Sequence, residues 1–595
     1  MIWRNGWKRH ARPLRRVWLR RVWLRRAAAA CAVAALTVPV GACSSPFALP
    51  TSGDVQTLDP VEQQDKRVYT TPDGPQLDAQ PEGIVSGFFN AMPAGVQNDG
   101  YRVAREFLSA DGVASWNGDK AATIYVGTPE FTRALHTSDT AGSQGGGVTI
   151  EVTLRVAGRL DSHGLFTAED DAQEVTLDYT LAKEDGQWRI VKLPQGVVIS
   201  DSDFEQVYRQ VSVYRVDASH SVLIPDVRWL GWRNWRTLAV REALDAPADW
   251  LAGAAVDLNG GRVSLAVNTV PLTDNDVQVQ LGSAFESLSD DTRALMVRLI
   301  RLTLGDGNAE YGNVRVLVNG DSDYSDADRD LTLAVAQESS PIYSLSAGNI
   351  VLLSSSSPLR VGQTAGFDDA RGFVFTADGG AVLRADHVVE CLKSDGSSCG
   401  ELFEGRRMST IVKGLGGEIW AVDESRTGLY VSRDGVGSRV AVPWLDDDAT
   451  IRSLAVSMEG GRMALALDSG MTAGVVFSGI VRADDGRPDR LSEACDRISA
   501  NADAAMMTFY NDTMLVFATD GDGDAGQSAY RQIAPGPNEA QKLPSDEVTA
   551  LASGQISSYR RLATLDDLGM VRSVRGSLDG AWSVADSQVT ALSAQ

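Results

Sequence analysis

Five cysteines, five histidines and 78 acidic side chains bound the chemistry open to this 595-residue chain. Cys391 and Cys399 flank a polar loop, CLKSDGSSC, whose Ser-Asp-Gly-Ser turn brings its ends together. In an oxidising compartment the pair is expected to form a disulfide, worth about 2–3 kcal/mol on the chain-entropy estimate; two thiols on a hairpin are the alternative. Cys495 is expected to act as a small buried hydrophobe. Four histidines follow the first 42 residues, His136, His163, His220 and His387, and none stands within metal-ligand spacing of another. Loop or surface positions are expected for each, with no zinc or nucleophile-base constellation. Two acidic runs imitate calcium loops. The first, Asp520, Asp522 and Asp524, has Ala525 and Arg531 at positions six and twelve, where an EF-hand needs Gly and Glu; the second, Asp321 to Asp328, has Thr332 at position twelve. No phosphate-cradling GxxxxGK[ST] occurs. The chain is therefore expected to carry no catalytic residue, no metal and no cofactor.

One cysteine is different in kind. Residues 1–26 hold ten basic side chains and no acid, and Ala27 to Ala42 is an uncharged run of small and apolar residues. That run is shorter than the roughly 20 residues of a spanning helix, so 1–42 reads as an export signal. Val40, Gly41 and Ala42 then precede Cys43 in an arrangement that resembles the lipobox of bacterial lipoproteins. There the cysteine takes a thioether-linked diacylglycerol and becomes the first residue of the mature chain. Two acyl chains give durable membrane anchoring, at about 0.8 kcal/mol per buried CH₂. An ordinary secretory signal with an incidental cysteine is the alternative. The tandem RRVWLRRVWLRR, Arg15 to Arg26, loosely resembles a twin-arginine signal with Trp18 where Phe is usual, so the export route stays open between the general secretory and twin-arginine pathways.

The leader removes ten positive charges, which takes the net charge from −23 to −33. Nucleic acid is thereby excluded as a partner, because phosphate binding needs a basic face. Residues 43–81 are rich in Ser, Pro, Gly, Asp and Gln and read as a flexible tether. Fully extended it would reach about 125 Å; as a coil it would average about 35 Å.

Three folded units are expected beyond it. Residues 82–200 begin with helical patterns at Ile84–Met92 and at Tyr101–Trp116, then give strands from Val148 and Glu174 with a hairpin at Asp185-Gly186. Helices before an antiparallel sheet closing on Gln187–Ile190 resemble an α+β cone of the NTF2-like kind, with Trp116 and Trp188 in its core. Residues 201–330 carry an amphipathic helix from Arg236 that stops near Pro247, alternating strands over GRVSLAVNTVPLTDNDVQVQLGSAF, a helix striped by Leu295, Leu299 and Leu302, and a last strand NVRVLVNGD. This order resembles the GerMN domain of envelope proteins. Residues 335–595 are short strands and turns. The turns at Gly379, Gly416, Gly460 and Asn511 recur at intervals of 37, 44 and 51 residues, which fits β-propeller blades of undetermined number; a β-sandwich is the alternative.

Taken in order, lipobox, NTF2-like unit, GerMN-like unit and propeller resemble the LpqB family of actinobacterial lipoproteins. The resemblance implies a lipid-anchored protein on the extracytoplasmic face of the cell membrane. It also implies a partner, the extracytoplasmic domain of the Mtr sensor histidine kinase, and a role in envelope homeostasis and division. A wall-binding protein that grips glycan or peptide is the alternative, followed by an envelope hydrolase built on the propeller.

Overall fold

A computed structural model of the chain describes residues 71–134, 147–305 except 221, 312–318, 322–324 and 341–593, the last with gaps at 354–358, 364–366, 368, 469–473, 499–503, 521–525, 546 and 557–558. The leader, Val40, Gly41, Ala42, Cys43, the tether to residue 70, His136 and most of both acidic runs lie outside the described residues.

Helix Pro81–Ala94 starts with a proline at its first turn, where no N–H is needed, and Glu82 favours the positive end of its dipole. Ile84, Val85, Phe88, Phe89, Ala91 and Met92 recur at helical spacing and are buried. They face a five-stranded sheet. Strands β1 (Ala122–Arg133), β2 (Val148–Leu160), β3 (Phe166–Glu184), β4 (Gln187–Lys192) and β5 (Val197–Ser200) take the order β4-β3-β2-β1-β5, antiparallel except for β1 against β5. Bulges beside Ile124 and Val156 curl the sheet around the helix. At Gly158 a Cβ would fall 2.3 Å from the Phe166 ring, so only glycine admits that crossing. The concave face is filled by edge-to-face rings: Phe88 on Trp116 at 5.2 Å, Phe89 on Tyr179 at 5.6 Å, Phe89 on Phe131 at 5.4 Å. Trp116 is buried and donates to the Gly196 carbonyl at 2.9 Å, whereas Trp188 is half-buried beneath Lys183.

Two expectations change in this unit. The helix expected over Tyr101–Trp116 is two short ones, Arg102–Glu106 and Ala110–Ser115. The backbone between them breaks off to pair with Ile190, which donates to Phe107 O at 3.0 Å and accepts from Ser109 N at 2.9 Å. The tether also ends earlier than expected. The Asp78 amide donates to the Gln187 side chain at 2.8 Å and Ala79 packs on the core, so these residues belong to the folded unit.

Hairpin β6 (Tyr208–Val216) and β7 (Leu223–Gly231) leads into helix Trp235–Leu244. Strands β8 (Leu272–Thr273), β9 (Asp276–Leu281), β10 (Val314–Val318) and β11 (Ser322–Asp323) form a second sheet, with β9 and β10 parallel across helix Asp290–Leu304. Ser289 caps that helix by accepting from Thr292 N at 3.2 Å, and Gly305, left-handed at φ 77°, ends it. Met296, Val297 and Ile300 pack toward the sheet, while Leu295 and Leu299 pack on Val216 and Leu223 of the hairpin. The stretch before Pro271 is not the strand expected there: only Ala266 N to Gln280 O and Gly282 N to Ser264 O, both 2.8 Å, join it to β9.

The C-terminal region is a six-bladed propeller among the described residues. Each sheet begins at the axis with one inner strand: Gly372–Thr376, Met408–Lys413, Thr450–Val456, Ala504–Phe509, Val548–Ile556 and Val589–Leu592. The last of these joins the sheet of Tyr343–Ser346, Asn349–Leu352 and Leu359–Gln363, so the final strand completes the first blade and closes the ring. Gly416, Gly460 and Asn511 sit between the inner and second strands of successive blades and Gly379 opens the second strand of the blade before them, which is why their spacing marks the repeat. Buried hydroxyls tie neighbouring blades: Ser593 Oγ accepts from Phe375 N at 3.2 Å, Ser453 Oγ donates to Ala504 O at 2.8 Å and Thr508 Oγ1 to Ser553 Oγ at 3.2 Å. Cys495 is half-buried on a strand paired with Phe477. Cys391 and Cys399 are joined in a disulfide with Cα atoms 5.1 Å apart, across the turn between the two outer strands of blade two. Replacing both with Ala should lower the stability of the propeller by about 2–3 kcal/mol, read as a fall in the urea midpoint that the reduced parent reproduces.

Candidate functional site

The polar groups of this protein converge where its units meet. Asp226, on β7, is fully buried, and burying a carboxylate needs compensating charge. Arg228 supplies it through Nε at 2.9 Å and Nη2 at 2.8 Å, and Arg215 on β6 approaches at 3.5 Å. The pairing follows from strand geometry: Asp226 and Arg228, two apart, share one face of β7, and β6 runs alongside. Each guanidinium then reaches outward. Arg228 Nη1 donates to the His163 carbonyl at 3.2 Å, in the loop between β2 and β3, and lies 3.4 Å from Glu242 Oε2. Arg215 donates to the carbonyls of Glu242 at 2.7 Å and Asp245 at 2.6 Å, the negative end of helix Trp235–Leu244. His163 Nδ1 completes the set 3.1 Å from Glu242 Oε1.

These surroundings act on the titrating groups in opposite directions. Burial works against the charge on Arg228, but Asp226 and Glu242 outweigh it and hold that guanidinium above its ordinary value. Burial lowers Arg215, with Asp226 opposing. Burial raises Glu242, and Arg228 and His163 offset only part of the rise.

The first unit is fastened to the second elsewhere along the same seam. Trp229 N donates to Gly164 O at 2.7 Å, Arg233 N to Val96 O at 3.3 Å, and Arg233 Nη2 binds Asp119 at 3.0 Å. Arg209 lies between two indoles, 5.0 Å from the Trp232 ring centre and 4.3 Å from that of Trp235. The second unit is welded to the propeller in turn. Val222, Ile224, Trp250 and Leu251 share one buried cluster with Phe477, Phe509 and Phe517, Ser492 Oγ donates to Trp250 O, and Gln210 Nε2 donates to Thr513 Oγ1 at 3.0 Å. At the propeller axis the six inner strands enclose a cavity of about 300 Å³ lined by Phe373, Thr410, Leu454, Met507, Thr549 and Leu592.

Of the described histidines, His220 stands in the β6–β7 turn, His387 Nδ1 donates to Met408 O at 2.9 Å with its Nε2 4.0 Å from Glu424, and His163 enters the charged cluster. Asp520 pairs with Arg452. No helix among the described residues is long and apolar enough to cross a membrane.

Comparison with known proteins places this architecture. Residues 74–205 match the model of the lipoprotein LpqB N-terminal domain, and residues 352–591 match that of the lipoprotein LpqB beta-propeller domain. Lipoprotein LpqB of Bifidobacterium longum is 54% identical over 571 residues, 95% of this chain and 98% of the relative. The chain belongs to the LpqB lipoprotein family. Lipoprotein LpqB of Streptomyces avermitilis is 31% identical over 248 residues, 38% of this chain and 39% of that protein. LpqB membership thus rests on both ends of the chain and on nearly its whole length. Among solved structures, virginiamycin B lyase from Staphylococcus aureus has a TM-score of 0.26 at 12% identity over 37% of this chain and 85% of that one. A gluconolactonase from Xanthomonas campestris has 0.27 at 12% over 37% and 77%. At those scores neither bears on what this LpqB protein does.

Two outcomes are expected at the seam. Asp226→Ala leaves two buried guanidiniums without their carboxylate and should destabilise by about 3–5 kcal/mol, with limited proteolysis opening the loop around His163 first. The second concerns pH. Glu242 holds its proton to higher pH folded than unfolded, so its favourable contribution is whole below its ordinary value of 4.5 and declines as pH rises through the raised one. Glu242→Gln cannot ionise. Its denaturation midpoint should therefore gain on that of the parent as pH climbs from 4 to 7.

Proposed function

We propose that this LpqB protein is a lipid-anchored accessory, without catalytic turnover, that binds the extracytoplasmic sensor domain of the Mtr-type histidine kinase. By that contact it biases signalling to envelope maintenance and division. The observation that carries the reading is family membership over nearly the whole chain. Cys43 is the residue that takes the diacylglycerol, and the anchored domains lie on the outer face of the membrane. Shared anchoring confines both partners to one surface, so that a weak contact becomes well populated. The continuous fastening of first unit, second unit and propeller also supports the reading. A body whose parts do not swing can transmit contact at one surface as a constraint on the kinase, whereas beads on a string would absorb it.

The mechanism is linkage: the lipoprotein favours the kinase state it binds more tightly, and shifts the equilibrium only by that difference in affinity. The test is autophosphorylation of full-length kinase in proteoliposomes, with the lipoprotein added on the sensor side. A saturable change in rate is expected, and Cys43→Ser should require a higher concentration for the same change. Unaltered autophosphorylation at saturating lipoprotein, together with no measurable association, would overturn the reading.

A further inference from the structure

We propose that the seam between the first two units holds one divalent transition metal, zinc by its donor chemistry, on His163, Glu242 and Asp245. One donor atom from each of the three lies within 4.8 Å of the others, so that a single ion placed among them can face all three. One imidazole and two carboxylates suit zinc better than calcium, which prefers an all-oxygen shell. Three protein ligands leave a fourth position for water.

Two further observations point to a cation here. The first is charge. Glu242 and Asp245 bring two carboxylates to one point beside His163, while the neighbouring guanidinium of Arg228 is already engaged through Nε and Nη2 by Asp226. A divalent ion would answer that pair of carboxylates. The second is that all three ligand-bearing segments are held in place by something other than the ligand atoms. The His163 carbonyl is bound by Arg228, those of Glu242 and Asp245 by Arg215, and the His163 amide donates to Asp161 Oδ1 at 2.9 Å. Outer contacts of this kind orient metal ligands before the ion arrives. Solvent reaches the site past His163 and Asp245, both exposed, while Glu242 is buried beneath them. Because His163 belongs to the first unit and the carboxylates to the second, the ion would clamp the seam. The pair His163 and Glu242 are 79 residues apart, which is why no sequence spacing announces the site.

The test uses detergent-solubilised full-length protein stripped with EDTA. Zinc titrated calorimetrically should bind at one equivalent per chain, and cobalt, as a spectroscopic probe, should give visible absorption that zinc displaces. His163→Ala and Asp245→Asn, both at exposed positions and checked for an unchanged circular dichroism spectrum, should each weaken zinc binding by about tenfold or more. Absence of saturable binding would overturn the proposal, as would zinc binding that both variants retain at parental affinity, the mark of adventitious uptake by an acidic surface.

Discussion

A carboxylate with no access to water must be answered by charge, and in this protein Asp226 is answered twice. Arg228 and Arg215 converge on it, and having satisfied it they still have donors left over. Those donors reach the loop between β2 and β3 and the end of helix Trp235–Leu244, so one buried anion sets where three segments meet. Such a cluster adds little net stability over an apolar replacement, because desolvation consumes most of the attraction. What it does is favour one docking: any other placement of the first unit on the second takes the His163 carbonyl away from Arg228 Nη1.

The propeller obeys a different constraint. Its inner strands are too short to be stable alone, and a closed ring gives each one a neighbour on both sides. The second unit rests on this ring through Ile224 and Trp250, which reach among residues of the fourth and fifth blades. At Gly479 a Cβ would fall 2.6 Å from that of Ala254, so the two backbones approach as closely there as glycine allows.

Local periodicity carried much of the fold. Phe88 and Phe89 announced the first helix, Asp185-Gly186 its hairpin, and the recurrent turns from Gly379 onward the blades, because each of these signals lies within a few residues of its consequence. What escaped was set by distant partners. The break at Phe107 exists because Ile190 competes for its backbone, and nothing near residue 107 says so. Blade number was hidden because the first blade borrows its inner strand from Val589–Leu592, more than 240 residues from the strand it pairs with. The seam was illegible for the same reason. Asp226 and Arg228 sit in a strand that reads as ordinary alternation, and only the fold reveals that the face they share has no solvent.

The borrowed strand has a consequence for how the protein is made. A chain synthesised from its N-terminus delivers residues 343–363 long before residues 589–592, and during that interval the first blade lacks the strand nearest the axis. Its unpaired backbone groups are then open to other chains, a hazard typical of slow-forming β-structures. Ring closure thus depends on completeness: a product truncated anywhere before the last strand keeps a gap in its ring.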